Sequence, residues 1–232
     1  MTATNRVVVD REQFEREAAG WIADAISRAV EKQGRCSLAL AGGSTPRPVY
    51  GTLAKEPFRN SVPWSGTSVY FGDERAVPPD HPDNNFGAAR EALLRHVGIP
   101  ESQVFRMQAE RADRELAALE YERALPDQLD LLILGMGPDG HTASLFPGSP
   151  ALDERSRKVV PVIGPKPPAA RLTITPAVIA SARSVLVLVT GADKADMVVR
   201  ALKGPLEPRV IPAQLAREGT WILDRAAAAG LA

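Results

Sequence analysis

His141 is one of only three histidines in the 232-residue chain, and it closes the run Gly135-Met-Gly-Pro-Asp-Gly-His141. Imidazole is the side chain best suited to general-base work near neutral pH. Three glycines within six residues imply a loop shaped around a ligand, not one that merely reverses direction. The other histidines have simpler explanations. His96 falls near the end of an expected helix, where the helix dipole favours a cation, and His81 sits in an exposed proline-rich loop. His141 is therefore the candidate base, with a purely structural histidine as the competing account.

The run follows Leu131-Leu-Ile-Leu134, which is apolar without alternation, as a strand buried on both faces should be. In open α/β sheets ligands bind beyond the carboxyl ends of the strands. Three further strand exits carry residues of suitable chemistry. Ala41-Gly-Gly-Ser-Thr-Pro46 offers Gly42, Gly43, Ser44 and Thr45 at the start of a helix, where N–H groups can face an anion; a tight turn with an ordinary cap explains it equally well. Phe71-Gly-Asp-Glu-Arg75 sets three charges after a buried strand. Arg75 there either orients a substrate or stabilises developing negative charge, unless the segment is a solvated turn. Gly191-Ala-Asp-Lys194 places Lys194 in the first turn of a helix, either completing a phosphate site or facing solvent.

The elements that must position these residues alternate. Strands are expected at 6–9, 36–41, 68–71, 103–107, 130–136, 158–163, 171–175, 184–190 and 220–223. Helices are expected at 11–32, 46–54, 85–96, 113–124, 192–202 and 212–217. The first carries Phe14, Ala18, Trp21, Ile22, Ala25, Ile26, Ala29 and Val30 on one stripe, with Asp10 as its cap and Gly34 after its end. This pattern predicts an α/β fold: a mostly parallel, twisted sheet with helices on both faces, forming one domain over residues 1–232. Gly164-Pro-Lys-Pro-Pro168 reads as a surface loop, and the Ala-rich tail from 226 is expected to fray.

Lys plus Arg and Asp plus Glu number 28 each, so no global field draws the chain to nucleic acid or an anionic membrane. Any anion site must be a local cluster. A single cysteine, Cys36, excludes an internal disulfide and a thiolate metal cage. No metal-ligand spacing stands out, so the reading takes no metal and no organic cofactor. The start lacks the apolar stretch of a secretory signal and no run spans a bilayer. The expectation is a cytoplasmic protein without membrane partners.

In this order, the segments resemble the 6-phosphogluconolactonases of the glucosamine-6-phosphate isomerase/6-phosphogluconolactonase family. The resemblance covers nearly the whole chain. It is carried by Leu38–Pro46, Tyr70-Phe-Gly-Asp-Glu-Arg-Ala-Val77, Asn84-Asn85, Gly135-Met-Gly-Pro-Asp-Gly-His-Thr-Ala-Ser-Leu-Phe-Pro147, Arg171–Thr175 and Gly191–Lys194. It implies the fold shared by ribose-5-phosphate isomerase and glucosamine-6-phosphate deaminase, and hydrolysis of a sugar-phosphate lactone in the pentose phosphate pathway; separately, a monomer is expected.

Matching positions would place Asp139 and His141 at the lactone. Gly42, Gly43, Ser44, Thr45 and Asp73 would bind substrate, while Arg75, counted with the catalytic residues, and Lys194 would handle its anionic portions, joined by Arg171. How the phosphate is divided among them stays open at this level. The deaminase pattern differs: it has a Glu where this chain has Phe146, and a Tyr where Arg75 stands. A non-catalytic sugar-phosphate sensor would need a DNA-binding segment, for which a first strand starting near Arg6 is expected to leave no room.

Overall fold

The computed structural model describes residues 5–231. Nine strands run β1 (Asn5–Val9), β2 (Cys36–Leu40), β3 (Thr67–Phe71), β4 (Asp73–Arg75), β5 (Leu131–Gly135), β6 (Val159–Ile163), β7 (Ala170–Ile174), β8 (Val185–Val189) and β9 (Thr220–Asp224). The α-helices are α1 (Phe14–Gln33), α2 (Pro46–Leu53), α3 (Phe58–Ser61), α4 (Asn85–Ala92), α5 (Arg114–Ala124), α6 (Pro176–Ser181) and α7 (Ala195–Lys203). Six strands pair in the order β1-β9-β8-β5-β2-β3, every ladder parallel, and a smaller antiparallel sheet has the order β4-β7-β6.

Successive side chains of a strand point to opposite faces, and the core shows it. Leu131 and Ile133 of β5 join α1, α2 and α4 in one apolar cluster, with Phe14, Ile22, Ile26, Val49 and Leu53. Leu132 and Leu134, one residue out of step, join the opposite cluster with Ala117 of α5, Val178 of α6 and Val198 of α7. A strand apolar on both faces is thus what a sheet covered on both faces requires. Leu172 and Ile174 of β7 belong to the second cluster, so the small sheet packs on that side.

Several expectations are corrected. Asp10 does not cap α1: its carbonyl accepts from Gln13 in a preceding turn and its carboxylate pairs with Arg225, and the capping position is Gln13. Gly34 does close the helix, at φ 76°. The 103–107 strand shrinks to one bridge between Val104 and Val69 on the outer edge of β3, with Phe105 N donating to the Val69 carbonyl at 2.8 Å. The helix expected at 85–96 breaks at Leu93 and finishes as a 3-10 turn, Leu94–His96. Residues 212–217 form a 3-10 rather than an α-helix. The tail does not fray at its start: Ala227 is buried, its N–H donates to Asp224 at 2.7 Å, and Lys203 Nζ donates to the Leu231 carbonyl.

Strand β4 was hidden by its composition. Asp73-Glu-Arg75 reads as a charged turn, yet it pairs with β7, Asp73 opposite Thr173 and Arg75 opposite Arg171. Two charged residues can sit buried there because each carboxylate is met by donors. Asp73 accepts from Asn85 Nδ2 at 3.0 Å and from Ser144 Oγ at 2.6 Å. Glu74 accepts the N–H groups of Arg75, Asn85 and Phe86 at 2.7–2.8 Å.

Candidate active site

The four strand exits converge. Ala41–Pro46 after β2, Asp73 and Arg75 of β4, Gly135–Gly137 and His141 after β5, Arg171 of β7 and Lys194 ahead of α7 line one cleft of about 140 Å³. Gly42, Gly43, Ser44, Thr45, Asp73, Arg75, His141, Arg171 and Lys194 are all in its wall. Asp139 is not; it meets the cleft only through His141.

The loop geometry explains the glycine spacing. A Cβ on Gly137 would lie 2.1 Å from the His141 ring, so only glycine leaves room for the imidazole. The turn is closed by Gly140 N donating to the Gly137 carbonyl and Gly137 N donating to that of His141. His141 Nδ1 lies 2.5 Å from Asp139 Oδ1. An ionised carboxylate can only accept, so Nδ1 carries the hydrogen and Nε2 is left as the acceptor of the neutral ring. The hydrogen bond from His141 holds the Asp139 carboxyl below its ordinary range, against a weaker opposing push from burial. Phe146 packs on the imidazole with ring centroids 4.9 Å apart, and its other neighbour is the Arg171 guanidinium, 5.4 Å from the ring.

Charge distinguishes this cleft. Arg75, Arg171 and Lys194 face a single carboxylate, Asp73, in a chain whose charges otherwise balance. Arg75 Nη1 donates to the Asp83 carbonyl at 2.8 Å, while its buried Nε has no partner among the described residues. Arg171 is largely buried, donating through Nε to the Pro168 carbonyl and through Nη1 to Ser144 Oγ at 3.4 Å. Burial lowers its pKa from the usual arginine value, with Asp73 opposing. Thr45, at the capping position of α2, makes no capping bond; its hydroxyl meets that of Thr190 at 3.0 Å, tying the glycine loop to the exit of β8. The ordinary-cap account of Thr45 therefore falls.

Supporting residues escaped the sequence reading. Ser144 joins Asp73 to Arg171, and Asn85 holds Asp73 from α4, its side chain seated where Gly42 has no Cβ. Asp224 at the end of β9 accepts from Gly191. The Asn84-Asn85 pair was visible as a motif, but its role was not. Glu74 is also part of this support, and burial pushes its pKa up to about 7 despite the three N–H groups that pull it down. Among the described residues no group of three His, Cys, Asp or Glu side chains is placed to hold a metal ion, and no helix is long and apolar enough to cross a membrane.

A parallel sheet with such a cleft at its carboxyl edge is an α/β enzyme architecture. The family is narrower still: residues 9–223 match the model described as glucosamine-6-phosphate isomerases/6-phosphogluconolactonase, and the chain belongs to that family. Its sequence is 37% identical to a 6-phosphogluconolactonase of Synechocystis sp., covering 97% of each chain. It is 38% identical to one of Mycobacterium tuberculosis, covering 100% of this chain and 99% of the other. A solved 6-phosphogluconolactonase of Trypanosoma brucei superposes with a TM-score of 0.85 at 30% identity over the whole of both chains. A monomeric glucosamine-6-phosphate deaminase superposes with a TM-score of 0.86 at 22% identity, covering 97% of this chain and 99% of that one; this shows the shared fold.

Proposed function

We propose that this protein hydrolyses 6-phosphogluconolactone to 6-phosphogluconate, with His141 as general base. The observation that carries the reading is the pairing of an Asp139-oriented imidazole with an excess of cations in one small cleft. Nε2 of His141 takes a proton from water as the water oxygen attacks the lactone carbonyl. The resulting tetrahedral oxyanion gains from Arg75, whose positive charge is already in place. Collapse breaks the bond from the carbonyl carbon to the ring oxygen, which takes the proton back from the imidazolium. The product acid then ionises. A positioned base is worth about 10²–10⁴-fold, ample for an intrinsically reactive lactone. Lys194 with Ser44, Thr45 and the N–H groups ahead of α2 receives the phosphate, and Arg171 adds to the same field.

Phe146 weighs against an amino-sugar deaminase. A carboxylate there would extend acid–base chemistry along the wall, whereas an aromatic ring only seats His141 and Arg171. The deciding experiment follows acid release from freshly made 6-phosphogluconolactone, with spontaneous hydrolysis subtracted. A purified protein that adds nothing to the spontaneous rate would end the proposal.

A further inference from the structure

The arm bearing Lys194 begins at Gly191, with Thr190 between it and β8, and its aim is set at that glycine. Gly191 has φ 102° and ψ 141°, a backbone state closed to other residues, and a Cβ there would lie 2.5 Å from Asp193 Oδ1. Its N–H is taken by the carboxylate of Asp224, both oxygens at 3.1 Å. Asp224 is 3% exposed, and its other acceptor contact is the Ala227 N–H at 2.7 Å. A buried carboxylate met only by backbone donors is a costly way to satisfy two N–H groups. It is a good way to hold one backbone unit in one orientation, because hydrogen bonds to a charged acceptor are shorter and stronger than neutral ones.

From Gly191 the chain runs through a single 3-10 turn, with Lys194 N donating to the Gly191 carbonyl, so the direction of residue 191 is passed to residue 194. On the other side of the hinge, Thr190 meets Thr45 of the glycine loop. We propose that Asp224 is a positioning residue for substrate phosphate: it fixes the Gly191 hinge so that Lys194 points at the anion received by the Gly42–Thr45 loop. The inference rests on the proposed phosphate role of Lys194.

The test is a double-mutant cycle read on two substrates, 6-phosphogluconolactone and unphosphorylated gluconolactone. Lys194→Ala is expected to raise KM for the phosphorylated lactone about tenfold or more, with little change for gluconolactone. Asp224→Asn leaves one acceptor oxygen for two donors, and is expected to raise the same KM severalfold with kcat nearly kept. Asp224→Asn combined with Lys194→Ala is expected to be no worse than Lys194→Ala alone, since residues acting through one contact are not additive.

Losses that multiply, or that fall equally on both lactones, would overturn the inference. Should Asp224→Asn not fold, Gly191→Ala attacks the hinge from the other partner and must give the same selective, non-additive rise in KM. If Lys194→Ala itself leaves the preference for phosphate intact, the phosphate reading of Lys194 falls and this inference with it. If Lys194→Ala removes the preference while Asp224→Asn does not, only the inference falls.

Discussion

The cleft at the sheet edge is not the largest hollow in the molecule. A cavity of about 600 Å³ lies between α4 and α5, floored by Phe86, Phe105 and Tyr121 and edged by Arg90, Arg95, Arg106 and Arg111. Those arginines are answered in place: Arg106 by Glu110 at 2.7 Å, Arg111 by Glu120, and Arg90 and Arg95 by Glu91. The active-site cleft is about a quarter as large, yet three cations there meet one carboxylate. Size marks where matter is missing; uncompensated charge beside an oriented base marks where chemistry happens.

The sharpest way to break that contrast is at the base. His141→Asn is expected to lower kcat by about 10²–10⁴-fold with KM for the phosphorylated lactone changed far less, checked by steady-state kinetics on correctly folded protein. A near-normal kcat would move the base elsewhere, with Asp73 the next candidate. Asp139→Asn comes second, lowering kcat by less than the His141 change because the ring keeps its nitrogen but loses the carboxylate that selects its tautomer. The wild-type profile carries a related sign. Asp139 is held below its ordinary value, so its contribution is present above the ordinary carboxylate pKa and is lost only as pH falls through the lowered one. An activity limb between pH 5 and 7 therefore cannot be the titration of Asp139.

Weaker still is the effect of salt. Raising ionic strength is expected to increase KM for 6-phosphogluconolactone severalfold while leaving gluconolactone nearly untouched, because screening acts on the charge excess of the cleft. Glu74 gives a stability counterpart. Its folded pKa, about 7, lies above the ordinary carboxylate value of 4.5, so the folded state binds the extra proton. Stability is therefore expected to fall as pH rises between these values, seen as a lower Tm at pH 7.5 than at pH 5.5. A Tm that rises over this range would mean that the three N–H donors outweigh burial. The smallest effect belongs to the larger cavity, where Glu120→Gln is expected to leave kcat/KM unchanged for both lactones. A loss selective for the phosphorylated lactone would erase the distinction between the two regions.

Much of this was legible in the residues. The unbroken apolar run of β5 announced a strand covered on both faces, and the glycine–histidine loop pointed to the cleft wall where the proposed base stands. What stayed hidden depends on partners distant in sequence. Asp73-Glu-Arg75 becomes a strand only because β7, a hundred residues on, offers it a ladder, and because Asn85 and Ser144 make its burial tolerable. Asp224 falls just past the strand expected at 220–223, and nothing local shows that it points at Gly191. The alanine-rich tail has the composition of a fraying end, yet the pocket for Ala227 is built by residues far upstream.

The register of the small sheet carries one more consequence. Arg75 and Arg171 are directly opposite each other on neighbouring strands, an arrangement that sheets ordinarily avoid because like charges there repel. Burial lowers the pKa of Arg171, and the charge of Arg75 adds to that against the larger opposing pull of Asp73. Asp73, on the same strand as Arg75, offsets the pair, and an anionic substrate lying across the two guanidiniums would add to that offset. Under the proposed function, binding and folding are coupled here: the charge of the substrate would relieve a repulsion that the strand pairing imposes.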